Sequence, residues 1–579
     1  MSKTEKHEQF TITNARPTIQ LFLNDGRVLE GPRGATLEEF FQTIQPDASG
    51  APIVAALVNH ELRELTYPLE MDAHIHPLTV GDEDGARVYR RSLTFLMEAA
   101  FGELFPEAAL TIDHSVAAGG YFCQVAGRGE LTSNEIASLE ARMRELVTED
   151  IRLGKSHVPI QEVIDYMASK GYDDKVRLLA HRKKDYLVLY EMNDHRDYHH
   201  GYMVPSTGYL RWFALAKVEG GFTLRFPRRR APTVLSAPPS YPKMLEQFRV
   251  YGNLLNTLGI GSVGALNDAV QNDRIREVIL VSEALHTQRL SEIATKIAAE
   301  RERIKVILIA GPSSSGKTTS SRRLTIQLLA RGISPVPLEM DNYFVDRDKT
   351  PRDENGEYDF EHVNALNRTQ LAEDLQRLIA GERVQLPKYD FLTGTTGPGE
   401  HVQIQPGQML ILEGIHGLNP DLIPGFPQEK TFRIYISALT QLNLDRHNRV
   451  STTDTRLLRR IVRDASYRGY SAQTTLQRWE SVTRGEKRNI FPYQENADIM
   501  FNSALVYEIS ALKPYAEPML RQVAHGTHEF VEAKRLLALL EWFLPVGDEM
   551  IPDNSLLREF LGRSIFERFR VWEKINGLQ

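Results

Sequence analysis

The segment Gly311-Pro312-Ser313-Ser314-Ser315-Gly316-Lys317-Thr318-Thr319 constrains this chain most; an apolar run at 305–310 precedes it and a helix-like stretch to 329 follows. It matches G-x-x-x-x-G-K-[ST] in full. Strand, glycine loop and helix in that order commit the surrounding chain to an open α/β sheet, with the loop delivered to a helix N-terminus. A triphosphate needs a ring of backbone N–H groups there, and Gly311 and Gly316 let the backbone approach closely and take positive φ. Ser313, Ser314 and Ser315 line the loop, Lys317 reaches the outer phosphates, and the Thr318 hydroxyl is placed to ligate Mg²⁺, with Thr319 entering the helix. The plain alternative is a glycine-rich turn without a ligand.

Two acids belong with the loop. A strand at 334–340 ends in Asp341, and another at 408–412 ends in Glu413, so both carboxylates arrive at the carboxyl edge of the sheet, where ligands of open α/β folds bind. They are expected to share one Mg²⁺ site with Thr318, with Asp341 either a general base or a metal ligand alone. Further on, Arg456, Arg459, Arg460 and Arg463 fall on one arc of a helix, with Leu457, Leu458, Ile461 and Val462 opposite. That pattern suits a lid closing over transferring phosphates, or a solvated basic face.

Six motifs in order resemble the uridine kinase and phosphoribulokinase family over about 304–515. They are the glycine loop, Met340-Asp341-Asn342-Tyr343-Phe344, Tyr358-Asp359-Phe360-Glu361-His362, Leu386-Pro387-Lys388-Tyr389-Asp390-Phe391, Leu412-Glu413-Gly414-Ile415-His416, and the arginine helix from Thr455 to Asp464. The resemblance implies a kinase using ATP and Mg²⁺. Asp341 would take the proton of an attacking hydroxyl, Glu413 would assist the metal, Lys317, Arg460 and Arg463 would serve the transfer, and Phe360, Glu361, Tyr389, Phe391, Arg456 and Arg459 would contact substrate. A nucleoside acceptor follows, uridine or cytidine first. Two departures bear on this: Glu361 stands where the family's uridine kinases usually carry Asp, and no histidine follows Tyr389-Asp390-Phe391, so another nucleoside or sugar stays open. Phe360 and Phe391 are also readable as plain core aromatics. The chain lacks the Asn-Lys-x-Asp guanine-reading motif, which favours ATP over GTP.

The N-terminal half resembles threonyl-tRNA synthetase. Asn24-Asp25-Gly26, Gly34-Ala35-Thr36-Leu37 and Pro68-Leu69-Glu70 are similar to its TGS module, a β-grasp fold, and the stretch from Tyr89 to Leu96 is similar to the start of its second, editing-related domain. The family's metal-type residues are replaced here by Arg91, Phe95, His199 and Met203, so the fold is expected without its hydrolytic site. His195, His199 and His200 cluster near Asp194 and Asp197, and the local sequence reads as a polar turn before a strand, with no metal expected. The resemblance makes this half a candidate RNA contact. An RNA-linked nucleotide-hydrolysing switch is therefore the alternative to a kinase, with a surviving hydrolase a further one.

The expected fold is α/β: a TGS-like β-grasp module at 1–80, a synthetase-like α+β domain at 81–226, a proline-rich linker and helical segment at 227–303, a P-loop kinase domain with a parallel sheet at 304–515, and a helical tail at 516–579. That tail is expected to serve packing or homo-oligomerisation without chemistry of its own. With 69 Lys and Arg against 76 Asp and Glu, the chain shows no general basic field for nucleic acid. One cysteine, Cys123, excludes an intramolecular disulfide and a cysteine-based zinc cage. No apolar run approaches the ~20 residues that span a bilayer, and the start lacks a signal-peptide core, so a soluble cytoplasmic protein is expected.

Overall fold

The computed structural model describes residues 16–44, 50–116, 119–236, 241–352, 356, 358–390, 392–567 and 569. Phe391, an expected acceptor contact, lies outside them. The chain divides into two compact units, one comprising 1–159, 186–238 and 525–531, the other 160–185, 239–524 and 532–579. Among the described residues no helix is long and apolar enough to cross a membrane.

The first unit opens with a five-stranded sheet in the order Val28–Pro32, Thr18–Leu23, Ala73–Thr79, Ile53–Val58, Glu61–Glu64. Its short helix Leu37–Phe41 starts where the sequence places it, because Thr36 and Glu39 form a reciprocal capping box. Leu37, Phe40 and Phe41 bury one face of that helix against Leu21 and Ile75, which gives the β-grasp arrangement. The long helix Glu83–Leu104 then packs with a four-stranded antiparallel sheet formed by 109–126 and 214–225.

The second unit is built on five parallel strands: β1 (Val306–Ala310), β2 (Pro335–Glu339), β3 (Met409–Glu413), β4 (Thr431–Ser437) and β5 (Ile499–Asn502), in the order β2-β3-β1-β4-β5. All five residues of β1 are buried, as a central strand covered on both faces requires. Parallel register brings the strand ends level: Ile309 pairs with Glu413, and Glu413 with Glu339. The loop after β1 and the residues after β2 therefore emerge side by side. Helix α1 (Lys317–Leu329) follows the loop directly, while α2 (Thr452–Arg468) and α3 (Ala472–Asn489) lie between β4 and β5 in sequence. The helical segment expected within 227–303 holds the helices Pro242–Leu258, Val263–Gln271 and Ile275–Ala299, with Gly259 in the left-handed region ending the first of them.

Candidate active site

Close packing dictates the glycines of the loop. A Cβ on Gly311 would lie 1.9 Å from the Ile436 carbonyl oxygen of β4, so only glycine lets the loop leave β1 beside its neighbour. Gly316 has φ +83° and caps α1 from the left-handed region. Ser314 also takes positive φ, 58°, which turns the successive N–H groups inward as an anion nest does.

Of the two acids, Glu413 contacts the loop directly, and Asp341 lies within electrostatic reach of Lys317. The Thr318 Oγ1 donates to Glu413 Oε1 at 2.8 Å. Burial pushes the Glu413 carboxyl up to about 7, with Lys317 opposing the shift and Asp341 and Glu559 adding to it. Asp341 is open to the solvent of the cleft but walled by protein; that enclosure raises its carboxyl above the ordinary range, against the pull of Lys317. Lys317 Nζ donates to the Pro312 carbonyl at 3.1 Å, folded back across its own loop. One ammonium and three oxygen-bearing side chains thus share one sheet edge, a hard-donor set suited to a magnesium-bound phosphate.

On the acceptor side, burial pushes Glu361 up to about 7, with Glu486 and Asp341 adding to the shift and Arg460 and Lys317 opposing it. This acid therefore shares an electrostatic neighbourhood with the loop lysine and the candidate base. It is seated against α3, where a Cβ on Gly485 would come within 2.4 Å of Glu361 Cβ. Phe360 is half-buried and meets Phe344 edge-on at 6.0 Å. Tyr389 departs from the expectation: it is 5% exposed and packs on Phe344 in the cluster of Leu338 and Leu412, so it supports the cleft wall rather than offering a face to an acceptor.

The arginine helix also needs correction. Its arginines do turn toward the loop, but the innermost are spent in ion pairs, neither solvated nor free as a lid. Arg456 holds both oxygens of Glu486 at 2.7 and 2.6 Å and also donates to the Ser313 carbonyl at 3.3 Å. Arg459 is 0% exposed and donates to Glu508 at 2.6 Å, to the Ser503 carbonyl at 2.8 Å and to the Ser314 carbonyl at 3.4 Å. Both brace the outer carbonyls of the loop, which aims its N–H groups inward. Arg460 reaches the Ser313 hydroxyl at 2.8 Å, and Arg463 pairs with Asp464 at 2.9 Å. Of the four, Arg460 stands nearest to groups a phosphate would touch.

Two residues of this site escaped sequence reasoning. Glu486 accepts the Ser313 N–H at 2.8 Å across a separation of 173 residues. Glu559 accepts the Thr319 N–H at 3.0 Å across 240, and Leu556 from the same segment lies 2.8 Å from where a Gly316 Cβ would stand. The C-terminal segment, read as a packing tail, therefore covers the loop. In the first unit, Phe95 and Met203 stand where the synthetase motif has metal-type residues, and both are core side chains, 0% and 1% exposed.

Comparison with known proteins finds separate relatives for the N-terminal region and for residues 306–510. The N-terminal region is similar to threonine–tRNA ligases: 33% identical over 205 residues to that of Symbiobacterium thermophilum, covering 35% of this chain and 31% of the ligase, and 30% identical over 201 residues to that of Legionella pneumophila, covering 34% and 31%. The chain thus spans about a third of the length of these relatives. Among solved structures, a possible uridine kinase from Bacillus stearothermophilus has a TM-score of 0.26 at 22% identity, covering 37% of this chain and 97% of that one. The D-glycerate 3-kinase from Cryptococcus neoformans has a TM-score of 0.21 at 16% identity, covering 43% and 87%. Residues 306–510, which carry the loop, both acids and the arginine helix, match the Phosphoribulokinase / Uridine kinase family.

Proposed function

We propose that this domain transfers the γ-phosphate of Mg·ATP to the 5′-hydroxyl of a nucleoside, with uridine and cytidine the first acceptors to try. The observation that carries the reading is the Thr318–Glu413 hydrogen bond at 2.8 Å, beside Lys317 and Asp341. Thr318 and Glu413 would hold Mg²⁺, whose contribution is to neutralise charge on the phosphate oxygens. Asp341, its basicity raised by the cleft walls, takes the hydroxyl proton as the acceptor oxygen forms its bond to phosphorus and the bond to the ADP oxygen breaks. Lys317 and Arg460 meet the charge on the transferring oxygens, and Glu361 is suited to binding ribose hydroxyls. The loop amides bonded to Glu486 and Glu559 are those a phosphate would use, so nucleotide entry displaces these carboxylates.

Similarity of the N-terminal region to threonine–tRNA ligases supports an RNA contact there, and with it a second reading in which nucleotide hydrolysis drives release from RNA. One experiment separates the two: Mg·ATP with a panel of nucleosides and sugars, beside an Asp341→Asn control. Stoichiometric monophosphate that depends on Asp341 supports the kinase. ADP release that ignores every acceptor and responds to RNA refutes it.

A further inference from the structure

The first unit gathers a set of buried polar groups that the kinase reading does not use. Glu98 lies on the helix Glu83–Leu104, Asp197 ends the strand His195–Asp197, and His199 follows it. They are 4%, 0% and 8% exposed, and one ligand atom from each lies within 4.8 Å of the others. His199 Nε2 is 3.1 Å from Glu98 Oε2, and His195 Nε2 is 3.7 Å from the same oxygen. That His195 nitrogen is itself buried without a hydrogen-bond partner.

We propose that Glu98, Asp197 and His199 bind one divalent d-block cation of the zinc class, with His195 buttressing Glu98. Donors held ~2.0–2.2 Å from a tetrahedral ion stand about 3.3–3.6 Å apart; His199 and Glu98 are 3.1 Å apart, and all three donors lie within 4.8 Å of one another, within reach of that spacing by small side-chain shifts. An imidazole nitrogen beside two carboxylates favours zinc-like ions over Mg²⁺ or Ca²⁺, which take oxygen shells. The doubly charged cation would add its charge to the partners the two buried carboxylates already have, the Tyr198 N–H on Asp197 and His199 on Glu98. Local structure explains the convergence. His195 and Asp197, two apart on a strand, share a face, and Glu98 stands about one helical turn beyond Phe95. The Phe95 ring lies 5.0 Å from the His195 ring and 5.7 Å from the His199 ring, an apolar wall on which both are oriented. The sequence reading of these histidines as an idle polar turn omitted Glu98, which arrives from about 100 residues upstream. Only His199 coincides with a position of the synthetase motif, so this is a different site. Three protein donors leave one position for water, and their burial makes bracing of the fold the ion's role.

The test uses the full chain. After treatment with a chelator and dialysis against Zn²⁺, bound metal is counted by mass spectrometry and thermal unfolding of the first unit is followed; Co²⁺ then replaces Zn²⁺ for visible spectroscopy. The expected results are about one equivalent of zinc, a raised melting temperature and intense tetrahedral Co²⁺ bands. Glu98→Gln and His199→Gln should lose that equivalent, while Glu413→Gln, altered only in the kinase cleft, should keep it. Substoichiometric zinc with no thermal shift overturns the proposal and leaves a hydrogen-bonded Glu–His cluster. So does a full equivalent retained with an unchanged Co²⁺ spectrum in Glu98→Gln. If either variant fails to fold, the Co²⁺ spectrum of the unaltered chain decides, since octahedral or absent bands refute the site.

Discussion

Glu413→Gln separates what this carboxyl does to the fold from what it supplies to the cleft. Glutamine keeps an oxygen for the Thr318 hydroxyl, which reaches Glu413 Oε1 at 2.8 Å, and removes the charge. Burial moves the Glu413 carboxyl from 4.5 to about 7, so the folded chain holds this proton where the unfolded chain has released it. The sign follows from linkage: the associated stability is fully present below pH 4.5 and is lost as the pH rises through about 7. Each pH unit in that interval is worth ~1.4 kcal/mol, which gives about 3 kcal/mol for a fully dry carboxylate. The side chain is only half-buried, and cleft water screens it, so about half that figure is expected.

In chelator and without nucleotide, Glu413→Gln should therefore be more stable than the wild-type chain by about 1–2 kcal/mol at pH 8 and close to it at pH 5. A chain of two compact units need not unfold in one step. The suitable assay is amide hydrogen exchange in peptides spanning β3, compared between proteins at the same pH, because it reads the opening free energy locally. Adding Mg²⁺ at pH 8 should reverse the order, protecting the wild-type strand and leaving the variant unchanged. A difference equal at both pH values, or a variant less protected at pH 8, would refute the view that Glu413 is held in the cleft at the expense of stability.

Asp341→Asn should lower turnover by about 10²–10⁴ with Mg·ATP binding retained, and the wild-type rate should fall on acidification at a pH above the ordinary aspartate range, because its carboxyl is raised; an unchanged rate would rule out the base role. Glu559→Gln should tighten Mg·ATP about tenfold by calorimetry, since a carboxylate ~6 Å from an incoming phosphate at an effective dielectric of 20 repels it by ~3 kcal/mol before screening; weaker binding would mean that Glu559 supports the loop. Arg456→Lys loses the bidentate hold on Glu486 and should destabilise the second unit by about 2–3 kcal/mol in thermal melts; a loss below about 0.5 kcal/mol would show that Glu486 is satisfied by the Ser313 amide alone. Gly316→Ala must take φ +83° with Leu556 at 2.8 Å, so Mg·ATP binding should be lost.

Why some of this site was legible in the sequence, and some not, follows from how each group reaches it. Gly311, Lys317 and Thr318 belong to one strand–loop–helix unit whose spacing is set by local backbone geometry. Asp341 and Glu413 each end a strand, and parallel pairing obliges those ends to meet, as the Glu339–Glu413 and Ile309–Glu413 register shows. The periodicity of α2 also put Arg456 and Arg459 on the correct arc, yet it carries no information on what that arc faces. Glu486 lies on a charged helical stretch that reads like solvated surface and Glu559 in a tail that reads as packing, and they become site residues only through contacts closed across 173 and 240 positions. The same physics explains why these distant carboxylates converge on the loop. A nest of N–H groups at a helix N-terminus attracts negative charge whatever its source, so a loop built to take phosphate also attracts carboxylates from distant parts of its own chain. If the domain takes Mg·ATP as proposed, those carboxylates must yield for it to enter, and its affinity would then depend on α3 and the C-terminal segment as well as on the loop motif.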